Sequence, residues 1–305
     1  MKTVVVRLAG GVGVMWAAAT ASWLALLVAP GDVTSILLGD GADTPEIRAA
    51  IAREWGLDQP QIVQYLSYLA RLLQGDLGRS YTLQQGVGDL LAGQLGPTVE
   101  LMLAATATGI VLALLLAVAT AGRGRWLRGA VSGVQLAWVS VPPFLVGILL
   151  LFVFSFTLGW FPVSGARDTS ALVLPALTLG LPIAGSLGQV LREGLERAQE
   201  QPFAVTARAR GLTESALVVR HTLRHASLPA VTLAGMLTGS LLGGAIITES
   251  LYGRPGLGQL TLTAVTSQDL PVMMAIVILA AALYVLISTV LDLLYRIIDP
   301  RLRSA

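Results

Sequence analysis

His221 and His225 stand four residues apart, the spacing that puts two imidazoles on one helix face and can hold a metal ion. No third ligand type lies near them, and Arg220 and Arg224 alongside would repel a cation, so a solvated or partner-facing helix surface is the simpler reading. A phosphate-binding loop needs a lysine after its glycine-rich turn. The only lysine is Lys2, so no nucleotide-binding motif is expected here and any ATP hydrolysis belongs to another chain. Serine–histidine proteolysis inside a membrane would need a histidine in an apolar run, and neither histidine is in one. The absence of cysteine removes disulfides, thiolate metal sites and thiol nucleophiles together. Proton relays need carboxylates at membrane depth, whereas Glu100, Glu249 and Asp292 fall at the ends of apolar runs. Glu249 reads as an interfacial residue with its head in water; a gating or structural hydrogen-bond role is the alternative.

The elements that must carry these residues are membrane helices. The chain has 305 residues, 54% hydrophobic and 12% charged, with mean hydropathy +0.74; ordinary soluble domains are about 25% charged. About 20 apolar residues cross a bilayer. Six charge-free runs reach that length: Leu8–Gly31, Leu101–Ala121, Gly129–Ala166, Thr169–Leu191, Ala226–Thr248 and Leu270–Leu291. The third is too long for one span; Pro142, Pro143 and Trp160-Phe161-Pro162 suggest a kinked helix and then an interfacial segment. The first exceeds a signal-peptide core and reads as an uncleaved helix. Six crossings put both termini on one side. Placing them in the cytoplasm assigns fourteen of the 20 Lys and Arg residues to that side, leaving Arg48, Arg53, Arg71, Arg79, Arg167 and Arg254 outside.

Two hydrophilic segments interrupt the spans. Residues 32–97, outside, contain a helix from Pro45 to Trp55, capped by Asp43 or Thr44 and ended by Gly56, and an amphipathic helix from Gln61 to Gln74 carrying Tyr65, Tyr68, Leu69 and Leu72 or Leu73. Residues 192–227, inside, form a basic helix, a turn at Gly211 and a second helix capped by Thr213; Leu228-Pro229 marks the start of the fifth span. Gly235, Gly239, Gly243 and Gly244 allow close helix approach in that span, toward another subunit or within this one. The Pro255-Gly256-Leu257-Gly258 loop after it is either a rigid turn or an outer gate. A basic inner helix is also consistent with rest on anionic lipid.

Thr206-Ala207-Arg208-Ala209-Arg210-Gly211-Leu212, followed by Arg220-His221 and Leu228-Pro229, closely resembles the cytoplasmic coupling segment of dipeptide/oligopeptide/nickel ABC transporter permeases. Further segments agree in order: Ala29-Pro30-Gly31-Asp32, Leu57-Asp58, Gln64-Tyr65-Leu66, Gly75-Asp76-Leu77-Gly78-Arg79-Ser80, Leu174-Pro175-Ala176-Leu177-Thr178-Leu179, Pro255-Gly256-Leu257-Gly258, Asp292-Leu293-Leu294-Tyr295 and Asp299-Pro300-Arg301. The long outer segment is similar to the B-type subunit. Pro202-Phe203 and His225 depart from the acid–aromatic pair and the asparagine frequent in the family, and Arg210 replaces a frequent lysine.

The resemblance implies an all-α integral membrane fold of six helices, a type I ABC importer permease forming a single domain over residues 1–305. It implies a bacterial cytoplasmic membrane location, a second permease of C type, two ATPase subunits holding ATP and magnesium, and an extracytoplasmic substrate-binding protein. Thr206, Ala207, Arg208, Ala209, Arg210, Gly211 and Glu214 would dock on an ATPase; Gly239, Gly243, Gly244, Glu249, Pro255, Gly256 and Gly258 are the pathway or gate candidates. The implied cargo is a di- or oligopeptide, with nickel, a metal chelate or haem as alternatives in the same importer class. A secondary carrier or channel, or a membrane receptor or scaffold, would work without ATPases.

Overall fold

The computed structural model describes residues 2–28, 33–38, 44–54, 56–120 and 123–298. The expected end of the first span at Ala29–Asp32, the caps and ends placed at Asp43 and Trp55, and Asp299–Arg301 lie outside the described residues. The described residues are helical nearly throughout and divide into two compact units, 1–96 with 259–285 and 97–258 with 286–305.

The first unit contains α1 (Lys2–Val28), α2 (Val33–Leu38), α3 (Pro45–Glu54), α4 (Gln61–Leu73), the start of α5 (Val87–Thr120) and most of α12 (Leu257–Thr266) and α13 (Leu270–Ile298). Thr44 caps α3 by accepting the Ile47 N–H at 3.4 Å. Gly56, at φ +67°, ends it with the Leu57 N–H returning to the Ala52 carbonyl. The amphipathic α4 lies on α1 through hydroxyls: Tyr65 with Thr20 at 2.7 Å, Tyr68 with Ser22 at 3.3 Å, and the Trp23 and Tyr65 rings 5.1 Å apart.

The second unit holds the rest of α5, then α6 (Arg125–Ser140), α7 (Pro143–Leu150) with a π-helical extension Leu151–Thr157, α8 (Ser170–Gln199), α9 (Pro202–Ala209), α10 (Glu214–Leu217), a π-helical turn Val218–Thr222 and α11 (Leu223–Leu251). Its axis is α8. Leu179, Ile183, Leu187, Leu191 and Leu195 recur at helical spacing and pack on Leu101, Ala105, Ala113 and Ala117 of α5 and on Ala226, Ala230, Leu241 and Ala245 of α11. Lipid tails are as apolar as leucine, so such helices associate by close packing at small residues. A Cβ on Gly180 would lie 2.9 Å from the Ala105 carbonyl oxygen, one on Gly185 2.7 Å from that of Gln135, and one on Gly194 2.8 Å from the Ala226 Cβ.

Among the described residues, five helices are long and apolar enough to cross a membrane: Ala9–Val28, Val87–Thr120, Ser170–Gln199, Pro229–Leu251 and Leu270–Val290. The third apolar run is a broken pair, Arg125–Ser140 and Pro143–Thr157, bent by 106°, and counting it as one span gives six. The bend is sharper than the expected kink because Pro143 forces Pro142 into extended backbone, at ψ 134°, and the helix must restart. The fifth span starts at Pro229, as expected, although the helix that carries it, α11, begins earlier at Leu223 and holds Pro229 within it.

Candidate functional site

Two polar clusters in the second unit contain most of the residues singled out above. The first is the helix–turn–helix at 202–217. Pro202 occupies the first turn of α9, where its missing N–H costs nothing. Gly211, at φ +84°, closes α9 with two bonds, its own N–H to the Arg208 carbonyl at 2.9 Å and the Leu212 N–H to the Ala207 carbonyl at 3.2 Å. Thr213 then caps the next helix through the Ala216 N–H at 3.4 Å. The turn folds Glu214 back onto Arg208, whose Nε and Nη2 donate to the two carboxylate oxygens at 2.7 and 3.2 Å. Arg208 Nη1 also donates to the Gln199 carbonyl at the end of α8, at 3.1 Å.

Arg208 thus staples three helical segments, and its hydrogen bond holds the Glu214 carboxyl below the usual carboxylate range. A lowered folded-state pKa makes the staple's contribution complete above the ordinary glutamate range and lost as pH falls through the lowered value. The docking candidates therefore divide. Arg208 and Glu214 satisfy each other, and the Thr206 hydroxyl bonds the Pro202 carbonyl of its own helix at 3.1 Å. Ala207 is half-buried, while Ala209 and Arg210 are exposed together with Val205, an apolar residue that the basic pattern masked. Phe203 and His225, the two departures from the family pattern, stack on each other with ring centroids 5.0 Å apart, which gives His225 a packing role.

The second cluster forms at the other end of α11. Glu249 is fully buried, which overturns its reading as an interfacial side chain in water. Its carboxylate accepts the Thr98 hydroxyl of α5 and the Gly258 N–H, both at 2.7 Å, and Thr98 accepts the Leu257 N–H at 2.8 Å. The chain reverses at Gly253, φ +53°, with the Arg254 N–H bonded back to the Glu249 carbonyl at 2.8 Å. Arg254 is buried as well and pairs with Glu100. A Cβ on Gly256 would meet the Glu249 carboxylate, and one on Gly258 would meet both that carboxylate and the Ile246 backbone. Glu249, Gly256 and Gly258 are thus one site, a loop wrapped around a buried anion; Pro255 is exposed at its tip. Sequence reasoning did not name Thr98, and it named Glu100 and Arg254 only as a run-end carboxylate and an outer arginine, not as parts of one site; the signal was charge and hydroxyl at both edges of apolar runs.

The model of the family described as "Binding-protein-dependent transport system inner membrane component" matches residues 109–304. The chain belongs to this family. Among relatives, it is 34% identical to the glutathione transport system permease protein GsiC of Salmonella choleraesuis over 99% of both chains. It is 36% identical to a putative peptide transport system permease protein of Brucella abortus over 97% of both. The inward-facing MetNI methionine ABC transporter has the same fold, at TM-score 0.56 and 22% identity, over 69% of this chain and 96% of that one. So does an amino acid ABC transporter crystallised with histidines, at TM-score 0.53 and 17% identity, over 68% and 94%. The protein is a multi-pass permease subunit of an ABC importer, as the ordered motifs implied.

The remaining pathway candidates of the permease lie on different faces of α11. Gly244 packs inward, a Cβ there lying 3.0 Å from Leu179 Cδ2, whereas Gly243 has open space around it on an exposed face with Met236 and Ile247; Gly239 is half-buried. Close-packing glycines are also found outside α11, on α8 at Gly180, Gly185 and Gly194, on α5 at Gly109 and on α7 at Gly147, where an added Cβ would lie within 3 Å of a neighbouring atom.

In the first unit, Asp269 is a buried acid that the sequence analysis did not single out. It precedes α13 and accepts the Ser80 hydroxyl and the Tyr81 and Thr82 N–H groups, the latter two at 3.2 Å; its signal was an acid just before Leu270-Pro271, a helix-start pattern. Asp269→Ala leaves the buried Ser80 hydroxyl and the part-buried Tyr81 and Thr82 N–H groups without this acceptor and is expected to lower the unfolding free energy in mixed micelles by about 2 kcal/mol. Asp269→Asn, which keeps one acceptor oxygen, should lose about half of that. Equal stability of all three proteins would refute the clamp.

Proposed function

We propose that this permease forms half of the translocation path of an ATP-driven importer of di- and oligopeptides. Similarity to a glutathione permease and to a peptide permease over nearly the whole of each chain carries the reading. A second, C-type permease would complete the path, two ATPase subunits would hold ATP and magnesium, and an extracytoplasmic binding protein would deliver the solute. The chain would be one permease domain in a bacterial inner membrane, with both termini and residues 192–227 in the cytoplasm and residues 32–97 outside; the arginine distribution supports that orientation. Residues 202–217 would seat on an ATPase as a rigid piece, with Val205, Ala209 and Arg210 making contact and Arg208, Gly211 and Glu214 holding shape. The wrapped Glu249 loop would keep the outer end of α11 fixed to α5 as the spans tilt. Closure of the ATPases drives alternating access only if the two states bind nucleotide and solute unequally.

The test is uptake by the four-subunit complex in liposomes, supplied with its binding protein outside and ATP inside. ATP-dependent accumulation of labelled glutathione or dipeptides is expected; ATP-dependent uptake of nickel or haem with no peptide uptake would overturn the cargo. The chain lacks cysteine, so single substitutions Asp58→Cys and Arg197→Cys report sidedness directly. An impermeant maleimide should label the first from outside and the second only after permeabilisation.

A further inference from the structure

The first unit encloses a cavity of about 400 Å³ that no part of the permease mechanism above uses. Ligand pockets typically run from about 300 to 1,000 Å³, so it is large enough for a small peptide-sized molecule. Its floor is apolar and comes from two spans: Leu26 of α1 and Pro271, Met274, Ala275 and Ile278 of α13. Its rim carries Arg53, Arg71 and Arg79, and no Asp or Glu is among the described lining residues. Trp23, Tyr68 and Tyr81 also line it.

The walls are preformed. Arg79 is held by two bonds from Nε and Nη2 to the Gln84 carbonyl, at 3.0 and 2.8 Å. The strip carrying Tyr81 is clamped by Asp269 to the start of the same helix that supplies the floor. Tyr68 is tied to α1 through Ser22. Burial pushes the Tyr81 phenol up to about 12, and the Tyr68 phenol also upward, so both stay neutral throughout the physiological range. The Arg71 side chain has no hydrogen-bond or ion-pair partner among the described residues. Three guanidinium groups beside an aromatic and aliphatic lining match a ligand with an oxyanion at one end and an apolar body at the other.

The geometry points to a binding site for an oxyanion joined to an apolar group, the form presented by the C-terminal carboxylate and side chains of a short peptide on its way to the translocation path. The assignment to peptide rests on the proposed cargo. The same chemistry is offered by an anionic lipid headgroup with its acyl chain.

Saturation-transfer NMR of the dipeptide Leu-Leu on the intact complex in phosphatidylcholine nanodiscs, without binding protein, tests the site. Signal from Leu-Leu is expected, weakened at least tenfold in apparent affinity for the C-terminal amide and for Arg71→Gln, with Arg53→Gln as a second variant. Arg71 is exposed, so circular dichroism and gel filtration should show the variants folded. Equal signal from acid and amide, or from wild type and both variants, overturns the site. Where Leu-Leu gives no signal, native mass spectrometry with added phosphatidylglycerol decides: lipid retained by wild type and lost in Arg71→Gln supports the site with lipid as its occupant, and equal retention overturns it. Peptide uptake in liposomes is read separately, so failure of the cavity leaves the importer reading standing, and failure of uptake is seen without reference to the cavity.

Discussion

Glu249→Ala is expected to lower the unfolding free energy of the permease by about 3 kcal/mol, the cost of leaving buried donors without their acceptor. The carboxylate accepts the Thr98 hydroxyl and the Gly258 N–H, and Thr98 in turn accepts the Leu257 N–H. Alanine leaves the Gly258 N–H and the Thr98 hydroxyl with no acceptor, opens a cavity, and strips a neighbouring anion from the buried Arg254. Glu249→Gln should fall between, since its amide keeps one acceptor oxygen but turns an N–H₂ toward one of the two donors. A double-mutant cycle separates this account from a general packing defect. Gly256→Ala alone forces a methyl into the carboxylate. In the Glu249→Ala background that obstacle is gone, so the two costs should be sub-additive by at least 1 kcal/mol. Additive costs, measured by unfolding in mixed micelles, would show that the loop does not close on this carboxylate.

Much of the fold was legible because lipid imposes a single demand, an uninterrupted apolar run of helical length, and α1, α5, α8, α11 and α13 each satisfy it. Pro142-Pro143 announced a distortion, but whether a helix kinks or breaks depends on whether the residues ahead of the second proline can remain helical, and here they are extended. Gly56 and Gly211 were legible as helix ends because a left-handed position is a local requirement. What was not legible is relational. Nothing in Gly180, Gly185 or Gly194 taken alone says which helix will approach, whereas the row of glycines in α11 catches the eye and includes Gly243, which touches nothing. Glu249 sits near the end of an apolar run, where a carboxylate ordinarily finds water; it is buried because the following loop turns back and brings it an N–H. Arg208 and Glu214 are six apart, a spacing that pairs on no regular helix, and they meet only because a glycine turn lies between them.

That turn carries the other large effect. Gly211→Pro is expected to leave the permease in the membrane and assembled, and to abolish solute-stimulated ATP hydrolysis. Proline is locked near φ −65°, whereas this position requires +84°, and it has no N–H to give to the Arg208 carbonyl. Both bonds that end α9 would be lost, and with them the reversal that brings Glu214 to Arg208. The ion pair is partly exposed and worth little by itself, so stability should fall far less than coupling. Gly211→Ala is the control: a Cβ there meets nothing, and only the left-handed backbone penalty of about 1–2 kcal/mol remains. Alanine should therefore retain partial coupling and proline none, while Arg208→Lys, which keeps the charge but cannot span both Glu214 oxygens and the Gln199 carbonyl, should fall between wild type and the proline variant. The measurements are solute-stimulated ATP hydrolysis and peptide import by the intact complex. If all three variants keep the wild-type stimulation and import, residues 202–217 do not transmit the motion, and the exposed Val205, Ala209 and Arg210 have no claim to the ATPase contact.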